Sequence, residues 1–449
     1  MHELLQDAAT RASAYLASLD ERKVAPDPAG VAALDALDVA LPQTPSDAHA
    51  VLAELDRHGT PGTMAMAGPR FFGFVIGGSL PVALAANWLA SAWDQNTGYY
   101  NATPTTARLE QIALRWLLEL LDLPRACGGA FVTGANVANF VGLAAARHAV
   151  LARAGWNVEA DGLFGAPPIT VVVGAEAHPT LIKSLGMLGL GRNRVTRVPV
   201  DGRGRMRMDM LPALPGPTIV CAQVGNVNTG ACDDVAALRE RVGVDVWLHV
   251  DGAFGLWARA APTRAPLVRG VELADSWATD AHKWLNVPYD SGLAFVRDAD
   301  ALRASMAITA EYLPTTSPWR NPSDYTPELS RRARGVDVWA ALRHLGRDGV
   351  AEMIERNCRQ ARRFAAGLAA AGLEILNEVA LNQVLVAFGD AERTQRVIAA
   401  LQAEGTCWCG ITVWQGRTAM RVSVSSWATT DADVERSLEA MIRVANATA

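Results

Sequence analysis

Lys283 stands in the run DAHKWLNVPYDSG, behind His282 and ahead of Trp284 and Leu285. A lysine set among apolar and aromatic residues loses hydration, and desolvation pushes an amine towards its neutral, nucleophilic form. Thirty-two positions earlier, the apolar run of WLHVDGAFG (247–255) ends in Asp251. In a parallel sheet, a carboxylate at a strand's carboxyl end points into the crevice where ligands bind. Taken singly, Lys283 reads as a snorkelling surface lysine and Asp251 as a helix N-cap. Together they suit one chemistry: the amine condenses with an aldehyde while the carboxylate keeps a ring nitrogen protonated. Pyridoxal 5′-phosphate (PLP) requires both, because its ring is an electron sink only in the protonated form.

Two further segments fit the same site. FVTGANVANFVGLAAAR (131–147) runs from a Gly/Ala/Asn turn into an apolar helix, which offers free N–H groups and a positive helix end to a phosphate. In VVVGAEAHPTLIKSLGMLGLG (171–191) a strand ends and His178 follows, where a flat imidazole can stack on a cofactor ring. Lysine occurs only at Lys23, Lys183 and Lys283, so covalent amine chemistry has three candidates. Lys23 falls in a linker and Lys183 in the helix after His178.

The elements that must position these residues follow from patterning. Apolar runs at 169–173, 218–222, 244–250 and 292–296 are rich in β-branched residues and separated by helices, such as the one predicted over 105–121. They predict a mainly parallel sheet covered on both faces. The first 65 residues read as an amphipathic helix, a linker at 24–30 and a second helix near 46–58. Such an arm lacks a core of its own and is expected to pack on a second subunit. Residues 66–335 form the expected large α/β domain. Beyond LSRRARG (329–335), a helical stretch at 336–371, strands near 383–388 and 419–424, and a helix after Thr430 predict a small α+β domain at 336–449. Half of the 449 residues are apolar and 19% are charged, enough for a large core. A net charge of -5 without a basic run argues against nucleic acid. The longest apolar stretch, at 80–93, is shorter than the roughly 20 residues a membrane helix needs. No signal peptide opens the chain. The six cysteines lack the paired spacing of a zinc site, and Cys407 and Cys409 read as neighbours on one strand. A reduced cytoplasmic enzyme without a metal is expected.

In this order the elements resemble the group II PLP-dependent amino-acid decarboxylases, the family of aromatic-L-amino-acid and glutamate decarboxylases. The resemblance runs from about Gly68 to the end. It includes PRFFGFVIGGSLP (69–81), ATPTTARLE (102–110) and AMRVSVSSWATTDADVE (419–435) besides HVD-x-A and HKW. It implies the PLP-dependent transferase fold type I, a mainly parallel seven-stranded-type sheet with helices on both faces and a small α+β C-terminal domain. It implies that Lys283 carries the cofactor, that Asp251 partners the pyridine nitrogen, and that Ala253 and His178 cover the two ring faces. Ala135, Asn136, His282 and Asp280 correspond to positions around the phosphate. Tyr312, in the Pro/Thr/Ser-rich segment 310–332, matches the loop tyrosine that returns a proton to the substrate's α-carbon. Arg331 matches an arginine that ties down the loop and the cofactor's surroundings. The chain departs from the family at Ala135-Asn136, where Gly-Ser or Ala-Ser is frequent, and at Gly225-Asn226-Val227-Asn228, where Gly-Thr-Thr is usual. Asn226 can replace a hydroxyl as donor; Val227 cannot.

The reaction so implied is α-decarboxylation of an L-amino acid to an amine and CO2. Other PLP outcomes (C–C or C–S lyase, aldehyde synthase, aminotransferase) are alternatives. Phe74 and Val75 are expected to line the substrate pocket, with Tyr99, Tyr100 and Thr103 contributed by a partner subunit. These residues favour an aromatic or apolar side chain. The resemblance also implies a homodimer with its sites at the subunit interface.

Overall fold

The protein was analysed as a computed structural model in which residues 1–308 and 319–448 are described. They gather into two compact units, 79–359 with 377–383, and 1–78 with 360–376 and 384–449. The N-terminal arm therefore belongs with the C-terminal segment. The division falls inside the helical stretch Arg334–Ala370, which is broken at Gly346, where φ is 60°.

In the larger unit seven strands form one sheet. They are β1 (Gly128–Val132), β2 (Thr170–Gly174), β3 (Thr196–Val198), β4 (Thr218–Gln223), β5 (Trp247–Asp251), β6 (Ser276–Asp280) and β7 (Gly292–Val296), in the order β1-β7-β6-β5-β4-β2-β3. Only β7 runs against its neighbours; the other pairings are parallel. The four apolar runs correspond to β2, β4, β5 and β7. The run at 244–250 starts late, at Trp247, because Val244 is exposed. The sequence did not announce β1, β3 or β6. GGAFV has two glycines and SWATD three polar residues, yet both strands are buried throughout. Their neighbours on both sides of the sheet impose that burial, and strand propensity yields to such context.

This topology brings the carboxyl ends of β1, β2, β4, β5 and β6, and the amino end of β7, to one edge. The helix Ala135–Arg153 starts there and packs its Ala138, Val141, Ala144 and Ala145 into the core. Gly292 pairs with Asp280, and a Cβ on Gly292 would lie 2.4 Å from Gly134 Cα. Only glycine allows the turn after β1 to approach the start of β7 so closely.

An ionic clamp holds the same edge. Glu110, fully buried in the helix Pro104–Leu120, pairs with Arg331 at 2.7 Å and Arg320 at 2.9 Å. Removing one member of a buried network leaves charges unpaired, which costs about 3–5 kcal/mol. Glu110→Ala should therefore lower stability by that amount in urea unfolding. A change below about 1 kcal/mol would show that the clamp adds nothing.

In the smaller unit β8 (Glu374–Ile375), β9 (Gln383–Ala387), β10 (Gly410–Trp414) and β11 (Arg417–Ser423) form a four-stranded sheet in the order β10-β11-β9-β8. Asp431–Ala447 begins with a capping box of Thr430 and Asp433. Cys407 and Cys409 are buried and free just ahead of β10, not within a strand. Trp408 between them stacks on Phe71 at 5.0 Å and on Phe74 at 5.3 Å. Among the described residues no helix is long and apolar enough to cross a membrane, and no group of His, Cys, Asp and Glu is arranged to hold a metal ion.

Candidate active site

β5 ends in Asp251 and its neighbour β6 ends in Asp280, with His282 and Lys283 in the turn that follows. Lys283 Nζ lies 3.0 Å from Asp280 Oδ2, and 21% of its side chain is exposed, so the amine is held yet reachable. The other oxygen of Asp280 accepts the Ala135 N–H at 2.6 Å. One carboxylate thus joins a lysine to the positive end of a helix. His282 Nε2 lies 3.5 Å from the same oxygen. Burial holds the His282 imidazole below the usual histidine range despite the nearby Asp280. Its Nδ1 accepts the Ser291 N–H at 3.1 Å, and its ring stacks on Tyr289 with centroids 4.3 Å apart.

Asp251 forms the other pole. It is buried, and burial pushes its pKa up against the opposing charges of His178 and Lys283. Ala253 N–H reaches it at 3.3 Å. The Asn139 amide also favours the anion. Buried carboxylates ordinarily gather donors; Asp251 is short of them. Beneath it runs a neutral relay. Trp247 Nε1 donates to Ser276 Oγ, which pairs with His249 Nδ1, and His249 Nε2 meets Asn139 Oδ1, each at 2.8 Å. Burial pushes His249 down to about 3, so its ring is uncharged and Nε2 carries the proton donated to Asn139.

His178 follows β2 and caps the helix Pro179–Met187, where its Nδ1 meets Thr180 Oγ1 at 2.6 Å. With Asp251, Ala222 and Gln223 it lines one narrow cleft at the sheet edge. Ala253 clips the two central strands together, its carbonyl accepting the Asp280 N–H at 2.9 Å. Asn136 directs its backbone carbonyl to Ser184 and leaves a buried Oδ1 without a partner among the described residues.

Other expected residues have structural duties. The amide of Asn226 is committed to Glu176 and Gln223, and its oxygen accepts the N–H groups of Asn228 and Thr229. It builds the turn after β4 instead of standing free as a cofactor donor. The two terminal nitrogens of Arg331 bind Glu110 and the carbonyls of Thr97 and Phe131 and so brace β1, while its buried Nε has no partner among the described residues. Thr103 turns its hydroxyl to the Tyr99 carbonyl, and Tyr100 stacks on Trp319 at 5.4 Å. In the smaller unit Phe74 and Val75 both have left-handed backbones, with φ of 54° and 59°. Val75 is buried and Phe74 exposed. For a β-branched residue this conformation is rare and costs about 1–3 kcal/mol. Tyr312 lies outside the described residues.

Sequence reasoning missed Asn139, Ser276 and His249, and the contact between Asp280 and Lys283. The available signal was His249, two positions before Asp251 on one strand and hence on the same face.

Residues 31–389 match the pyridoxal-dependent decarboxylase conserved domain. The chain belongs to this family. It is 28% identical to tryptophan decarboxylase 1 of Oryza sativa subsp. japonica over 378 residues, covering 78% of this chain and 73% of that protein. It is 27% identical to the aromatic-L-amino-acid decarboxylase of Bacillus atrophaeus over 345 residues, 74% and 70% of the two chains. It is 28% identical to the L-2,4-diaminobutyrate decarboxylase of Rhizobium meliloti (strain 1021) over 437 residues, 91% and 84%. The crystal structure of Oryza sativa TDC with PLP and tryptamine matches with a TM-score of 0.92 at 25% identity, covering 99% of this chain and 97% of that one. The pyridoxal-dependent decarboxylase described here has the fold type I architecture and is a PLP-dependent lyase of amino acids. Its residues fit the cofactor. A reachable amine, a buried carboxylate and a helix amino end converge on one sheet edge, as an aldehyde, a pyridine nitrogen and a phosphate require.

Proposed function

We propose that this decarboxylase converts an L-amino acid with an aromatic or apolar side chain to the amine and CO2. The observation that carries the reading is Asp251, a buried carboxylate short of donors, on the strand next to the one that presents Lys283. PLP, when bound, supplies the sink for the electron pair left behind by CO2. Asp251 holds the proton on the ring nitrogen, and its burial strengthens it as a base for that purpose. Lys283 would hold the cofactor through its aldehyde carbon, and its partly exposed amine leaves that carbon within reach of a substrate amine. The amino end of the helix Ala135–Arg153 receives the phosphate. His178 and Ala253 would pack against the two faces of the ring and so fix how a substrate is presented to it. Tyr312 returns a proton to the α-carbon.

The substrate class is supported by the segment FFGFVIG (71–77), which carries no charge and presents Phe74 at its surface. The names of the tryptophan and aromatic-L-amino-acid relatives support it too. Trp88, Leu89 and Trp93 stand exposed on the helix Pro81–Trp93, an apolar face of the kind a second subunit covers. That supports a homodimer to which Tyr99, Tyr100 and Thr103 contribute across the interface. An aldehyde synthase is the second reading, since the chain is 28% identical over 341 residues to the 4-hydroxyphenylacetaldehyde synthase of Rhodiola rosea. Incubating the PLP-loaded protein with each proteinogenic amino acid, and measuring CO2, amine, ammonia and hydrogen peroxide together, tests both. Equal CO2 and amine from aromatic or large apolar substrates is the expected result. Ammonia and peroxide in place of amine would establish the synthase, and preference for an acidic or diamino substrate would overturn the proposed class.

A further inference from the structure

We propose that Asn139 is the positioning residue of Asp251, and that Trp247, Ser276 and His249 fix the direction in which its amide faces. The purpose of the arrangement rests on the PLP reading above; its geometry belongs to the protein alone.

Hydrogens can be placed along the relay in one way only. The Trp247 indole has an N–H and no acceptor. Its Nε1 meets Ser276 Oγ at 2.8 Å, so the hydroxyl oxygen accepts there. The other neighbour of that hydroxyl is His249 Nδ1, at 2.8 Å. If Nδ1 donated, the buried Ser276 proton would have no acceptor among the described residues, which is costly. Nδ1 therefore accepts, and the neutral ring carries its proton on Nε2. Nε2 lies 2.8 Å from Asn139 Oδ1 and donates to it. The oxygen of the Asn139 carboxamide is thus committed to His249, and its N–H groups turn the other way. All four residues are buried, so bulk water does not compete for these links.

The turned-away amide serves Asp251. His249 and Asp251 are two apart on β5 and so lie on one face of the sheet. The helix Ala135–Arg153 comes down on that face: a Cβ on Gly142 would stand 2.9 Å from His249 Cε1. Asn139, three residues earlier on this helix, leaves a buried Nδ2 with no partner among the described residues, and the charge it stabilises is that of Asp251. The Ala253 N–H reaches the same carboxylate at 3.3 Å. A carboxylate that gives one oxygen to a ring nitrogen keeps its aim only if its surroundings hold it. Asn139 supplies that hold without charge. A cation in its place would pull the carboxylate pKa down and weaken it as a partner for the ring.

The first test needs no substitution. In cofactor-free protein labelled with 15N-histidine, NMR should show His249 protonated at Nε2 alone from about pH 5 to about pH 8. Protonation at Nδ1 would overturn the proposal. In the PLP-loaded enzyme, Asn139→Leu and His249→Leu should each lose about tenfold to a hundredfold in kcat, with KM within about threefold. His249→Gln can still accept from Ser276 and donate to Asn139, so it should recover to within about threefold of wild type. Equal losses for the Gln and Leu variants would mark a packing role and refute the positioning one. In the Asp251→Asn background, Asn139→Leu should cost less than about twofold further, since it acts through Asp251. A loss that persists in full there would refute the link. If borohydride reduction with PLP leaves Lys283 unlabelled, the PLP reading fails while the His249 result stands, which separates the two failures.

Discussion

Lys283→Ala should be correctly folded and catalytically dead, with turnover reduced at least on the order of a thousandfold and no visible absorbance from lysine-bound PLP. The chain offers no substitute amine. Lys23 is exposed and paired with Asp27, and Lys183 is an exposed residue in the helix Pro179–Met187. With three lysines in 449 residues, borohydride reduction becomes a clean assay. Wild-type protein should carry reduced cofactor on one peptide, the one containing Lys283, and the alanine variant on none. Stability should fall but leave the protein folded, because the variant removes the ammonium partner of the buried Asp280 while that carboxylate keeps its Ala135 contact. Retention of both the absorbance and turnover by the variant would remove the basis of the assignment.

Asp251→Asn should separate stability from activity. Burial raises the pKa of Asp251 in the folded protein, so the folded state binds this proton more readily than the unfolded chain, where an aspartate titrates near 3.9. The associated stability is complete below that value and is lost as pH rises through the higher folded value. At neutral pH the cofactor-free protein therefore bears the cost of an ionised, poorly solvated carboxylate. Asparagine has nearly the same shape and no charge, so the variant should resist urea at least as well as the parent at pH 7. Its kcat should nevertheless fall by about 10²–10³, the loss typical when a preorganised electrostatic partner is removed. A variant within about tenfold of wild-type kcat would deprive Asp251 of its role. A loss of stability at pH 7 would show that the carboxylate is better solvated than its burial implies.

The chemistry was more legible in the sequence than the scaffold that supports it. Lys283, Asp251 and His178 stood out only together, since singly each has an ordinary structural reading, whereas the set suits one cofactor. The runs that became β2, β4, β5 and β7 announced themselves by composition. β1 and β6 did not, because glycine, serine, threonine and aspartate carry no strand signal, and only the sheet around them makes them strands. Partnerships were hidden for a related reason. Asn226 and Arg331 have the right chemistry for a ligand, but Glu176, Gln223 and Glu110 claim them first, and such competition appears only when distant segments meet. The pairing of Asp280 with Lys283 was readable as a spacing of three; its second contact, to Ala135, was not.

The uncharged relay beneath Asp251 divides the labour at this centre. Trp247, Ser276, His249 and Asn139 are sealed from solvent, and the one titratable group among them stays neutral down to about pH 3. On its sheet side the centre is therefore blind to acidity over any range in which a cell lives. The relay itself adds no pH response there, so any such response comes from Asp251, whose pKa burial raises, or from groups on the open side. Evolution or engineering can retune the working pH by altering that rim, without disturbing the electronic demand of the ring behind it.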